Sequence, residues 1–119
     1  MKKLNKQKVF ERAYRGLRAQ GFQQSLAITA CAYNGSNGKH CAIGWIFPIG
    51  KNEEGVSFPL LAVAKNLDAD DVEFLAHLQS THDLWARADA LARELKIFAA
   101  ERGLMIPPVD GKDPVLVTD

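Results

Sequence analysis

The sequence CAYNGSNGKHCAIG, residues 31–44, contains both cysteines of the chain, two Asn-Gly pairs and one histidine. Asn-Gly pairs between β-compatible residues are typical of tight hairpin turns, because Asn and Gly tolerate positive φ. The runs on either side, residues 26–33 and 39–47, contain β-branched and aromatic residues, which favours strands. This stretch therefore predicts a two-stranded antiparallel β-hairpin.

The register of that hairpin decides whether Cys31 and Cys41 meet, because successive side chains of a strand point to opposite faces. A loop over residues 34–38 places both cysteines on one side, where a thiol pair, a disulfide or two metal ligands could form. A two-residue turn at residues 37–38 places them on opposite faces and permits none of these. The first register is preferred, because Asn-Gly at both ends of one loop indicates that both glycines are needed.

The rest of the chain predicts about four helices. Residues 4–20 have apolar side chains at helical spacing and are followed by Gly21, a favourable residue for a helix end. Ser57 is a suitable N-cap for a short second helix, and Asp68 or Asp70 for a third.

A break is then predicted at residues 81–83, where Asp83 would cap a fourth helix that runs to Arg102 and is stopped by Gly103. Two strands alone are marginally stable, so the helices are expected to cover one face of the hairpin. We therefore predict a single α+β domain over residues 1–104, with about four helices packed on the hairpin. Three prolines follow, and residues 105–119 are predicted to be an extended or flexible C-terminal tail.

Composition and charge limit the function classes. The chain has 119 residues, 47% of them hydrophobic, which suffices for the core of one domain. Its formal net charge of +1 argues against a dedicated nucleic-acid-binding protein. Charge is nevertheless uneven: residues 1–20 contain seven Lys and Arg and one Glu, whereas residues 51–75 contain two Lys and six Asp and Glu. Such a bipolar chain can attract a charged partner.

The expected location is the cytoplasm, without membrane association. No apolar run is long enough to span a membrane, and the first residues lack the apolar region of a secretory signal. Cytoplasmic cysteines are normally reduced, so a structural disulfide is the less expected state. No cofactor is expected, since residues 35–38, GSNG, lack the Lys-Ser/Thr pair and the following helix of a phosphate-binding loop.

Two chemical alternatives remain open. Cys41, His82 and Asp83 are the residue types of a thiol nucleophile with its base and orienting acid, although adjacent His and Asp side chains usually point in different directions. Cys31 and Cys41 are weak candidates for metal ligands, because a structural zinc site needs four ligands and histidines elsewhere would have to complete it. The more common role of such cysteines is that of small buried apolar residues.

Surface binding is the third possibility. Lys8, Arg12 and Arg15 share one face of the first helix and could contact an acidic partner, although a solvated helix face is more common. Aromatic side chains are usually core residues. The aromatic residues expected to pack together in the core are Trp45, Phe47, Phe58, Trp85 and Phe98.

Two motifs resemble those of a family of small uncharacterised bacterial and phage proteins, over about residues 9–104. The motifs are Cys31-x-Tyr33-x-Gly35-x-x-Gly38-x-x-Cys41-Ala42-Ile43-Gly44 and Leu78-Gln79-x-x-His82-Asp83 followed by Trp85. The resemblance implies a mobile-element or accessory protein and brings no catalytic residue or cofactor. Relatives often continue from the first motif into an acidic loop, whereas residues 45–48 of this chain, WIFP, are apolar. This difference indicates a binding surface.

The predicted function is that of a small non-enzymatic protein-interaction module. We expect a phage or prophage accessory or counter-defence factor that acts as an inhibitor of a host protein. It would bind that protein through Lys8, Arg12 and Arg15 or through Trp45 and Phe47. The alternatives are a thiol-dependent enzyme that uses Cys41 with His82 and Asp83, and a metal-binding domain. The oligomeric state is open.

Overall fold

The computed structural model describes residues 3–24, 39–47 and 56–114. Within these ranges the regular structure consists of five helices and no β-strand: α1 (Lys6–Ala19), α2 (Ala42–Ile46), α3 (Phe58–Ala64), α4 (Ala69–Leu84) and α5 (Ala88–Glu101). The predicted α+β fold with a β-hairpin is therefore wrong, because the second predicted strand forms α2. The first predicted strand, the Asn-Gly turn and Cys31 lie outside the described residues.

Helix α2 forms where the strand was predicted because Cys41 caps it. The backbone of Cys41 is extended, with φ −81° and ψ 179°, and its Sγ accepts a hydrogen bond from the Gly44 amide at 3.4 Å. Ala42, Ile43 and Ile46 are all buried. A short run that is apolar throughout has no period that separates a strand from a buried helix, so the sequence was ambiguous at this point.

Helix α1 lies within the predicted residues 4–20. Asn5 caps it by accepting a hydrogen bond from the Lys8 amide at 3.0 Å, and the buried side chains share one face. It ends in a Schellman motif, in which Gly21 has φ +70° and the Phe22 amide donates to the Leu17 carbonyl at 2.7 Å. The helix thus turns an apolar face to the core and leaves its basic face outside.

Helices α1 and α2 are in close contact at Gly16. A Cβ atom on this glycine would lie 2.6 Å from Cε2 of Trp45 and closer still to Cδ2 and Cγ. Glycine in a helix interior costs roughly 0.5–1 kcal/mol relative to alanine. Here that cost is offset by the close approach of the indole ring, which fixes α2 against α1.

A buried glutamine at the end of α1 holds the same contact. The side chain of Gln20 is 4% exposed. Its Oε1 accepts from the His40 amide and from Trp45 Nε1, both at 3.0 Å. Its Nε2 donates to the carbonyls of Gln23 at 2.8 Å and His40 at 2.7 Å. Gln20 therefore anchors both the chain that enters α2 and the indole ring.

Helix α4 continues through the predicted break at residues 81–83. Asp83 does not cap a following helix; its Oδ1 accepts from Gln79 Nε2 at 2.9 Å, one turn earlier in the same helix. Thr81 likewise bonds back, from Oγ1 to the His77 carbonyl at 3.0 Å. These local bonds keep the segment helical, and α5 begins only at Ala88, with Arg87 as its N-cap.

The core lies between α1, α2, α4 and α5. Phe10 and Phe98 stack with ring centroids 6.0 Å apart, and Phe74 lies 5.3 Å from Phe98. The partly buried aromatic residues packed against this core include Trp45, Phe47 and Phe58. Trp85 was wrongly predicted to be a core residue: it lies just past the end of α4 and is 37% exposed.

Residues 105–114, hereafter the strap, follow α5 without regular structure. The Schellman motif at Gly103 turns the chain back, and the side chain of Gln7 then bonds both the amide and the carbonyl of Met105, at 2.9 and 3.0 Å. The strap thus begins on α1. The predicted domain boundary after residue 104 stays a prediction. No helix in the described ranges has the length and apolar character needed to cross a membrane.

Candidate functional site

Cys41, His82 and Asp83 belong to one polar network, which Gln79 joins together. Gln79 Oε1 accepts from the Ile43 amide at 3.1 Å, in the first turn of α2. Its Nε2 donates to Asp83 Oδ1, which also lies 2.8 Å from Nδ1 of His82. The network therefore fastens the start of α2 to the last turns of α4. Gln79 was named only as a position of the second sequence motif, and its part in joining α2 to α4 was not predicted.

The environment of Cys41 keeps its thiol neutral. The residue is 0% exposed, and burial raises the pKa of the thiol to about 12. A nucleophilic cysteine needs a lowered pKa and access to substrate. His82 is also fully buried. These are the features of a structural cysteine and histidine at a helix contact.

In residues 3–24, 39–47 and 56–114, no group of three or more His, Cys, Asp and Glu side chains is arranged so that it could hold a metal ion. The ring of His40 instead packs edge-on against Trp45, with centroids 4.8 Å apart. Cys31 lies outside these ranges, so its proposed role as a ligand stays a prediction.

A surface pocket of about 550 Å³ brings together four of the five residues predicted to bind a partner. Arg12 and Arg15 contribute from α1, and Trp45 and Phe47 from the end of α2. The fifth, Lys8, is exposed one helical turn before Arg12. The remaining lining residues are Gly44, Ile46, Lys112 and Pro114. The pocket thus combines a basic edge with an aromatic wall.

The cations at this pocket differ in their partners. Arg12 donates to the Ile46 carbonyl at 3.3 Å. No carboxylate of the described residues lies within ion-pair distance of Arg12 or of Lys112. Arg15, by contrast, contacts Asp110 at 2.8 Å and Asp113 at 3.2 Å. Within the described residues, the side of the pocket formed by Arg12 and Lys112 therefore carries positive charge that no ion pair neutralises, although Asp110 lies close enough to interact electrostatically with Lys112.

The aromatic wall is held in place from behind. The indole of Trp45 rests on Gly16 and donates its Nε1–H to Gln20. The ammonium group of Lys65 lies 5.3 Å from the ring centroid of Phe47, a cation–π contact. Because neither ring depends on a ligand for its position, the pocket is preformed.

Next to the pocket, two arginines of α1 clamp the strap. Arg18 bonds Asp113 bidentately, from Nε and Nη2, with both distances 2.7 Å. It also donates to the carbonyls of Pro107 at 2.8 Å and Pro108 at 2.9 Å. Hydrogen bonds from Arg18 lower the pKa of Asp113, and those from Arg15 lower the pKa of Asp110. Both carboxylates are thus held ionised against α1.

A turn in the strap aims both carboxylates at the helix. Gly111 has φ +79°, and Asp110 Oδ1 accepts from the Lys112 amide at 3.2 Å. Only glycine adopts such a backbone readily. This clamp was not predicted, although Asp110 and Asp113 have the same three-residue spacing as Arg15 and Arg18.

Comparison of the chain with protein-family models, with curated proteins and with solved structures gives no match. The resemblance to a bacterial and phage family therefore stays a prediction.

Proposed function

We propose that this protein is a non-enzymatic interaction module that binds an acidic segment of a partner protein in the pocket between α1 and α2. The observation that carries the proposal is that two cations without an ion-pair partner among the described residues, Arg12 and Lys112, lie beside the fixed aromatic wall of Trp45 and Phe47. A carboxylate of the partner would bond the guanidinium of Arg12, and a neighbouring apolar side chain would cover the rings.

The chemistry of the pocket favours a protein ligand. Arginine and aromatic side chains are the residues most enriched at the centres of protein interfaces. The planar guanidinium group matches a carboxylate with two parallel hydrogen bonds. The strap supplies a precedent on the same helix, because Arg18 binds Asp113 in this way.

A nucleic acid fits this surface less well. Binding to a phosphate backbone depends on several unpaired Lys and Arg side chains in a row. Asp110 and Asp113 neutralise part of the basic face of α1 through their contacts with Arg15 and Arg18. The two cations without an ion-pair partner in the described ranges, Arg12 and Lys112, suit one or two carboxylates.

We propose further that the partner is a cytoplasmic host protein and that the module acts as a phage or prophage accessory or counter-defence factor. This part rests on the resemblance of the two sequence motifs. A thiol-dependent activity gains no support from the buried, neutral Cys41.

The test is selection of binding sequences from a random peptide library, followed by affinity measurement with labelled peptides. We expect the selected peptides to share an acidic residue next to an apolar or aromatic residue. The double variant R12E/K112E should weaken their binding by at least about tenfold, since each charge reversal replaces attraction by repulsion.

The matched control is R93E/K96E, which reverses two charges on exposed positions of α5. It should leave the affinity unchanged. Selected peptides without acidic residues, or equal losses in both double variants, would rule out the proposed site.

A further inference from the structure

The basic face of α1 is longer than the open pocket. Lys8, Arg12, Arg15 and Arg18 follow one another at spacings of four, three and three residues, which keeps them broadly on one side of the helix. Lys8 and Arg12 are exposed. The strap covers the guanidinium groups of Arg15 and Arg18, whose side chains are each 16% exposed.

The strap is held as a bound peptide would be. Most of its contacts with α1 run from helix side chains to strap carboxylates and backbone carbonyls. After the partly buried Ile106 and the buried Pro107, the strap residues that follow are exposed or half-buried. The ion pairs of the clamp include a bidentate pair and form one network, so they hold the strap, but they are only partly buried and are weakened by salt. The strap beyond Pro107 therefore adds little to the core.

Release of the strap would lengthen the pocket. Lys112 and Pro114 form one of its walls, and Arg15 lies at the edge shared by the pocket and the clamp. Without the strap, one continuous face would run from Arg12 to Arg18.

We infer that the strap is a built-in competitor, which occupies the second half of the binding face until an acidic segment of the partner displaces it. The displacing segment carries two carboxylates three residues apart, as Asp110 and Asp113 do, and these bind Arg15 and Arg18. This inference rests on the proposed function, which concerns the open half of the same face; displacement of the strap takes Lys112 and Pro114 with it and leaves Arg12, Trp45 and Phe47 as that half. A tethered strap has an effective concentration of about the millimolar range, so only a ligand that also uses the open half competes well.

The experiment uses the full-length chain and a fluorescently labelled synthetic peptide of residues 105–114, MIPPVDGKDP. The variant D110N/D113N removes the strap charges and keeps the side-chain shapes. We expect the peptide to bind this variant at least about tenfold more tightly than it binds the wild type, because the competitor in cis is weakened. Adding R15Q/R18Q to the variant should abolish that binding.

The control D70N/D89N removes two exposed carboxylates elsewhere and should bind the peptide as weakly as the wild type does. A second variant, G111A, strains the strap turn at φ +79° and leaves every charge in place. It should also bind the peptide more tightly than the wild type. If circular dichroism shows that D110N/D113N is unfolded, the peptide affinity of G111A tests the inference in its place.

Equal peptide affinity for the wild type and for the folded strap variants, or no binding to either, would overturn the inference. The outcome is independent of the library selection, because the probe is the strap's own sequence. If acidic library peptides bind through Arg12 but the strap peptide does not bind, the inference that the strap is a competitor is wrong and the proposed function is still supported. If the strap peptide binds the strap variants but the library peptides do not depend on Arg12, the proposed function is wrong and the inference about the strap is still supported.

Discussion

The contact between Gly16 and Trp45 gives the sharpest prediction about stability. In an exposed helix interior, Gly→Ala is expected to stabilise a protein by about 0.5–1 kcal/mol. Here the added methyl group would lie 2.6 Å from Cε2 of Trp45 and nearer to two other ring atoms. Overpacking costs about 1–3 kcal/mol, and the indole cannot move aside easily because Gln20 holds its Nε1.

We therefore expect G16A to destabilise the protein by about 2 kcal/mol, the upper overpacking cost less the helix gain. For a chain of this size that corresponds to a fall in Tm of about 8 °C. Urea and thermal unfolding followed by circular dichroism would measure both. A G16A variant as stable as the wild type, or more stable, would refute the packing argument.

The W45A background provides the control. Once the indole is absent, the steric cost disappears, and G16A should raise the free energy of unfolding by about 0.5–1 kcal/mol. The sign of the G16A effect should thus reverse between the two backgrounds. The same sign in both would place the cause outside the contact with Trp45.

Three further predictions concern the buried polar groups and the strap. Q20L removes the hydrogen bonds that the buried Gln20 side chain makes with Trp45 Nε1 and with the His40 backbone, so it should lower the free energy of unfolding by about 1–3 kcal/mol. Q23L, at an exposed position, should have little effect, and chemical denaturation compares the two. In a C31S variant, Cys41 is the only cysteine, and its thiol should resist iodoacetamide at pH 7 to 9 and react once the protein is denatured. The reason is that burial raises the pKa of the thiol to about 12 and blocks access of the reagent. Fast labelling of the folded protein would contradict this prediction. The pKa values of Asp110 and Asp113 are lowered in the folded protein, so their contribution to docking the strap is fully present above the ordinary carboxyl pKa of 3.8 and is lost as the pH falls through the lower folded pKa values. The NMR signals of Gly111 and Lys112 should therefore be constant from pH 7 to 4 and move only below pH 4. Movement near pH 6 would show that another group controls the docking.

The helices with a clear apolar period were predictable, and the short apolar run was not. Residues 4–20 repeat apolar side chains at helical spacing, and α1 lies within them. Residues 42–46 are apolar apart from Gly44 and too short a run to show a period of two or of 3.6, and the helix they form is capped by a cysteine sulfur. The helix break at Asp83 was predicted wrongly because aspartate is a favourable helix N-cap. In the structure the Asp83 carboxylate instead accepts a hydrogen bond from Gln79 of the same helix.

The candidate site was only partly accessible from sequence. Arg12 could be named as a binding residue from charge. Trp45 could be named only because its apolar segment replaces the acidic loop of the resembled family. Their meeting in one pocket depends on the packing of α2 on α1, which no local pattern encodes. One signal was available: Gly16 interrupts an otherwise favourable helix, and such a glycine often marks a close approach of another element. The strap clamp had a second signal in the matched spacing of its two acids and two arginines.

The most direct measurement of the central claim is a charge swap at Arg12. We expect R12E to weaken binding of a selected acidic peptide by at least about tenfold, and a peptide with Lys in place of its acidic residue to recover much of that loss on the R12E protein and not on the wild type. Recovery would show that the partner's carboxylate lies against Arg12. Equal binding of both peptides to R12E, or an R12E protein that binds the acidic peptide as well as the wild type does, would contradict the proposed site.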